Sequence, residues 1–129
     1  MPTPQELMQL GQSLIEHCDQ QKETDFQNAH YTADAISMEA VPMPSGSAEA
    51  AGLEAIKAKG EWWYSAHEVH SSAAEGPFVH GSDRFSVIFD LDVTTKETGE
   101  RMQMREIGTY YVNEAGKITR EEFAYAIGE

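Results

Sequence analysis

Residues 83–112 read DRFSVIFDLDV, TTKETG, ERMQMREIGTYYV, and this stretch decides the fold. Apolar residues recur at every second position, at Phe85, Val87, Phe89, Leu91 and Val93, the period of two of a strand with one buried face. Lys96 to Gly99 breaks the pattern as a turn segment, with Gly99 free to take a positive φ. A second strand follows, with Met102, Met104, Tyr110 and Val112 on one parity.

A four-residue loop sets Thr95 opposite Glu100. Val93 then faces Met102, Leu91 faces Met104, Phe89 faces Glu106, Val87 faces Gly108 and Phe85 faces Tyr110. On the other face Asp90 meets Arg105 and Ile88 meets Ile107. Such cross-strand apolar and opposite-charge pairs contribute roughly 0.2–1 kcal/mol each. A slip by one residue would set Asp90 against Glu106 and Leu91 against Arg105. The favoured register leaves Glu106 on the apolar face, where a carboxylate is paired, exposed at a rim, or functional.

The rest of the chain sets the bounds. Its 129 residues make one domain, 1–129, large enough to bury a core. A net charge of −13 argues against a nucleic-acid partner, which needs clustered Lys and Arg. Neither a leader pattern nor a long apolar run is present, so no membrane association and a cytoplasmic location are expected. Cys18 stands alone, which excludes a disulfide frame and reads as a small core residue.

Thr3, Pro4 and Glu6 form a capping signature for a first helix ending near Gln21. Leu7, Leu10, Leu14 and Cys18 recur along it at helical spacing. A short helix is expected over Glu23 to Ala29, followed by Tyr31. Ala35 to Val41 reads as a strand, and Glu49 to Ala66 as a helix carrying Leu53, Ile56, Trp63 and His67 on one face. His67 to Ala74 reads as a strand turned by Glu75, Gly76 and Pro77, with Gly81 as a bulge or bend before Asp83. Lys117 to Ile127 is the last strand. Helices followed by a run of antiparallel strands predict an α+β fold with the helices on one face of a curved sheet.

Three segments carry a family resemblance: Tyr31 to Glu39 (YTADAISME), Phe85 to Phe89 (FSVIF), and Gly116 to Ile118 (GKI) after the final turn. In order and spacing the chain resembles the ketosteroid isomerase / SnoaL-like superfamily, the cone fold also named after nuclear transport factor two. The resemblance implies a cavity between the concave sheet and the helices, and frequent homodimers. It implies no single activity, because isomerases, cyclases, hydrolases and non-enzymatic binders share the fold.

Ketosteroid isomerase pairs a carboxylate base with an oxyanion hole of a tyrosine and a protonated acid. By resemblance the base position is filled by Glu39. The acid position holds Gly108, and the tyrosine falls near Ile15. An enolate would then lack a contribution typically worth about 3–4 kcal/mol, so steroid isomerase activity is excluded. Glu39 and Glu106 remain as candidate catalytic carboxylates, with Glu121 favoured over Glu122 to face inward by the parity of Phe123 and Tyr125. Glu39 otherwise reads as a rim residue or a solvated strand position, and Glu106 as a salt-bridge partner of Arg120 or another cation.

The candidate ligand-binding set is Tyr31, Trp63, Phe89, Met104, Tyr110, Phe123 and Tyr125. Of these, Trp63, Phe89, Met104, Tyr110 and Phe123 are expected to converge on one cavity. Neighbouring Trp62 and Trp63 also suit core packing. The scattered His residues lack the convergent spacing of a zinc site, and dinucleotide, P-loop and Ser-His-Asp fingerprints are absent, so neither metal nor cofactor is expected. Two function classes follow: a module holding a small hydrophobic molecule, or a small enzyme using one carboxylate as base on a hydrophobic carbonyl compound. A homodimer is expected through the outer sheet face, where Ile88, Ile107 and Tyr111 would otherwise meet water.

Overall fold

The computed structural model describes residues 1–126. Helices α1 (Pro4–Asp19) and α2 (Glu23–His30) lead into strand β1 (Tyr31–Met38) and a short β2 (Glu49–Ala51). Helix α3 (Leu53–Ala66) is followed by β3 (His67–His80), β4 (Arg84–Thr95), β5 (Arg101–Val112) and β6 (Ile118–Tyr125). The six strands form one open sheet in the order β2-β1-β6-β5-β4-β3. Only the β1–β6 pairing is parallel, so the sheet is mixed and the fold is an α+β cone.

The β4–β5 register is the one the alternation predicts: Phe85 pairs with Tyr110, Val87 with Gly108, Phe89 with Glu106 and Leu91 with Met104. Asp90 and Arg105 meet on the outer face at 2.8 Å. In the connecting loop Gly99 takes a φ of 73°. The Thr3–Glu6 capping box opens α1. That helix lies close on the sheet because Gly11 has no side chain: a Cβ there would stand 2.5 Å from Pro77 and 3.1 Å from Phe85. Leu7, Leu14, Phe26, Ile56, Phe85, Val87 and Ile118 form the buried centre between helices and sheet.

Several boundaries differ from the sequence reading. Residues Glu49–Ala51 are not helical, because they pair with Ile36–Met38 at the sheet edge, and the helix starts at Leu53 after Gly52. β1 begins at Tyr31 and ends at Met38. Gly76 and Pro77 do not end β3: a register shift between Glu75 and Phe78 absorbs them, and β4 offers a partner as far as His80. Gly81, read as a bulge or bend, lies in the β3–β4 turn with a φ of 63°. β6 runs from Ile118 to Tyr125, and Ile127 lies outside the described residues. Among the described residues no helix is long and apolar enough to cross a membrane.

Candidate functional site

The concave face of the sheet, α2 and α3 enclose a cavity of about 590 Å³, within the usual range for small-molecule sites. Tyr31, Trp63, Phe89, Tyr110 and Phe123 line it, together with Trp62. Phe89 and Tyr110 therefore share a side of the sheet, as the register requires. Two residues of the sequence-based set stand outside the lining: Met104, half-buried opposite Leu91, and Tyr125, whose hydroxyl is turned to Glu39.

Of the carboxylates that line the cavity, Glu121, Glu39 and Glu106 differ in their surroundings. Glu121 is 4% exposed, on the inward parity of β6. Its oxygens accept hydrogen bonds from the Tyr31 hydroxyl and from Ser37 Oγ, the latter at 2.6 Å. Burial pushes its pKa up, against the opposing pull of those two bonds. Glu122 points the other way, to Arg120 and Tyr111.

Glu39 follows directly after β1. Its Oε2 lies 2.6 Å from Lys59 Nζ, and its Oε1 accepts a 3.2 Å bond from the Tyr125 hydroxyl. Lys59 also donates to Ser37 Oγ at 2.6 Å and lies 5.0 Å from the centre of the Phe123 ring. One chain of bonds thus runs from Tyr31 through Glu121, Ser37 and Lys59 to Glu39 and Tyr125. Glu39 is an ion-pair member here, and not a free base.

Glu106 differs from both. Arg120 does not reach it, being held 2.9 Å from Glu122. Among the described residues Glu106 forms neither a hydrogen bond nor an ion pair. Burial, then the charges of Glu39 and Glu121, raise its pKa to about 7, with Lys59 pulling the other way. At neutral pH both its forms are populated.

Beside it stands a group that sequence reasoning did not assign as a donor. Tyr110 stacks on Phe85 at 5.2 Å and leans over Gly108, where a Cβ would lie 3.0 Å from its hydroxyl. That hydroxyl has no hydrogen-bond partner among the described residues. Burial raises its pKa well above the usual value, so it stays a donor. Lys59 was also missed. The signal was present: Ile56, Lys59, Gly60 and Trp63 recur at helical spacing along the α3 face that meets the cavity.

The histidines are dispersed: His67 stacks on Trp63, His70 bonds Thr94 and His80 bonds Ser86. Among the described residues no three His, Cys, Asp or Glu side chains are placed to hold a metal ion.

None of the curated proteins matches this chain. A solved structure from Mesorhizobium loti, whose name suggests a SnoaL-like polyketide cyclase, is 39% identical, with a TM-score of 0.82 over 91% of this chain and 97% of that one. A Mycobacterium tuberculosis protein in complex with estradiol-17beta-hemisuccinate is 24% identical, with a TM-score of 0.71 over 98% of this chain and 96% of that one. A Bacillus subtilis protein whose name suggests an isomerase is 12% identical, with a TM-score of 0.75 over 98% of this chain and 90% of that one. The last two share the fold alone. The model of the SnoaL-like domain matches residues 6–125, and the chain belongs to that family.

Proposed function

We propose that the chain binds one small hydrophobic molecule in its cavity and that Glu106 is the polar group this molecule meets. The observation that carries the reading is a cavity-lining carboxylate that has no partner among the described residues and stands opposite the apolar Phe89 on the β4–β5 wall. A pocket of this kind binds through its apolar area and orients its ligand through few polar groups. The Mycobacterium tuberculosis protein of the same fold in complex with estradiol-17beta-hemisuccinate supports a ligand of that size class. Mass spectrometry of the denatured protein should release a copurified molecule. Its loss in Glu106→Gln with no fall in melting temperature supports the reading. A large fall in melting temperature with the molecule retained would sink it.

A second reading, catalysis, is favoured by the Tyr110 hydroxyl on the same wall. A carboxylate with a pKa of about 7 suits a general base near neutrality, and a phenol donor suits a carbonyl oxygen. The name of the Mesorhizobium loti structure makes hydrophobic carbonyl compounds the first substrates to try. Turnover abolished by both Glu106→Gln and Tyr110→Phe supports catalysis, and turnover indifferent to both removes it.

The chain would act as a homodimer through the outer sheet face. Ile107 is 45% exposed there beside its strand partner Ile88. Tyr111 contributes less, since it is covered by Arg84 and bonded to Glu122. Light scattering at micromolar protein should give twice the chain mass, and the monomer mass would count against it.

A further inference from the structure

The charges on the cavity wall restrict what can enter. Asp19, Glu23, Glu39, Glu61, Glu106 and Glu121 line it against Lys57 and Lys59. Both lysines are engaged: Lys59 with Glu39 and Ser37 at 2.6 Å each, Lys57 with Glu54 and Asn28 at 3.0 Å each. Glu121 and Glu23 are satisfied as well, by Tyr31 with Ser37 and by Tyr64. An entering carboxylate therefore finds acidic neighbours and no unengaged cation among the described residues. An ammonium group finds one open acceptor away from the exposed rim, Glu106, with aromatic residues of the lining around it, since Asp19 and Glu61 are solvent-exposed. Cations gain from carboxylates in desolvated sites and from aromatic faces.

Resting on the ligand-binding reading, we infer that the ligand is an apolar amine, bound as its cation with the nitrogen at Glu106 and the hydrocarbon body against Trp63 and Phe89. A neutral alcohol can donate a hydrogen bond to the same oxygen, but it leaves the cavity's excess negative charge uncompensated. The bound cation also holds Glu106 ionised. Free, Glu106 is biased towards the protonated form by its burial and by Glu39 and Glu121, and towards the ionised form by Lys59. Tyr125 on β6 and Tyr110 on β5, the strand of Glu106 itself, also face it; burial raises the pKa of both, so they are neutral. On β4 the residue opposite is the apolar Phe89.

The test uses three probes with a common aromatic body, naphthylmethylamine, naphthylmethanol and naphthoate, titrated calorimetrically into the full chain. At pH 8 the amine should bind about tenfold more tightly than the alcohol, with naphthoate weakest. From pH 6 to pH 8 the amine affinity should rise several-fold as Glu106 ionises, while alcohol binding changes little. In Glu106→Gln both the preference and the pH dependence should vanish. They should persist in Glu100→Gln, which removes an equal charge from the exposed β4–β5 loop. Naphthoate binding as tightly as the amine overturns the inference, and so does an amine preference that survives Glu106→Gln. If the alcohol binds best and depends on Glu106, the amine fails and the ligand-binding reading stands. If none of the three binds, both fall.

Discussion

Glu106 and Glu121 stand on adjacent antiparallel strands, face the same cavity and occur in the same kind of alternating sequence. Burial raises the pKa of both. Around Glu121, two hydroxyls donate to the carboxylate and a lysine closes the next link. Around Glu106 there are Phe89, Gly108 under the Tyr110 and Phe123 rings, and other acids. The difference lies in the neighbouring strands. β6 pairs with β1, which brings Tyr31 and Ser37 within reach of Glu121. β5 pairs with β4, whose inward residues are all apolar. Topology therefore makes one carboxylate part of the frame and leaves the other available to a ligand.

The largest expected effect is at Glu121. Glu121→Leu removes the acceptor of two buried hydroxyls, those of Tyr31 and Ser37. Leaving them unpaired should cost about 3 kcal/mol or more, read as a lower urea midpoint at constant m. A loss under about 1 kcal/mol would mean that the frame does not depend on this carboxylate.

Glu106→Gln should act in the opposite direction. The folded-state pKa of Glu106, about 7, lies above the ordinary 4.5. Below pH 4.5 the group is protonated folded or unfolded and contributes nothing. As the pH rises from there towards 7 the unfolded chain gives up the proton first, so the native state loses stability, and above 7 the penalty is complete. Glu106→Gln should therefore stabilise the protein at pH 8 by up to about 3 kcal/mol. At pH 4.5 it should be near neutral. Destabilisation at pH 8 would show a partner holding the ionised form.

Gly108→Ala tests the geometry between the two regions. Its Cβ would meet the Tyr110 hydroxyl at 3.0 Å and Phe123 at 3.1 Å, so at least one ring must move. The cost should be about 1–2 kcal/mol, as for moderate overpacking. Probe binding should weaken with it, because the Tyr110 hydroxyl is displaced from the wall. Unchanged stability and binding would mean that the rings yield freely.

The hairpin register was legible because every cross-strand pair agreed: a one-residue slip breaks Asp90–Arg105 and buries charge beside Leu91. The inward turn of Glu106 and Glu121 follows from the same parity. The partners of each carboxylate did not follow, because they come from segments distant in sequence. Tyr31 and Ser37 reach Glu121 only through the parallel β1–β6 pairing, and Lys59 reaches Glu39 from α3. The alternation of β5 carries no trace of either. The edge strand β2 was illegible for a related reason: Glu49–Ala51 has too little pattern of its own, and its pairing with β1 decides its conformation.

The smallest effect in energy concerns Lys59, which stands between the two regions. Lys59→Met breaks the 2.6 Å contacts to Glu39 and Ser37. Glu39 keeps the Tyr125 hydroxyl and Ser37 keeps Glu121 as acceptor, so no buried group is left without a partner. The loss at neutral pH should be about 1 kcal/mol. The informative readout is the titration of Glu106. Lys59 is the one cation that lowers its pKa, against Glu39 and Glu121, which raise it. With Lys59 gone and Glu39 unneutralised, both changes push Glu106 the same way, and its midpoint should move above 7. The native-state penalty then builds over a wider interval, still starting near pH 4.5 but completing at higher pH. Carboxyl-carbon chemical shifts of labelled Glu106 would follow this directly. A midpoint left near 7 would show that the network around Glu121 and the open carboxylate at Glu106 are electrostatically independent, and that the lysine serves the frame alone.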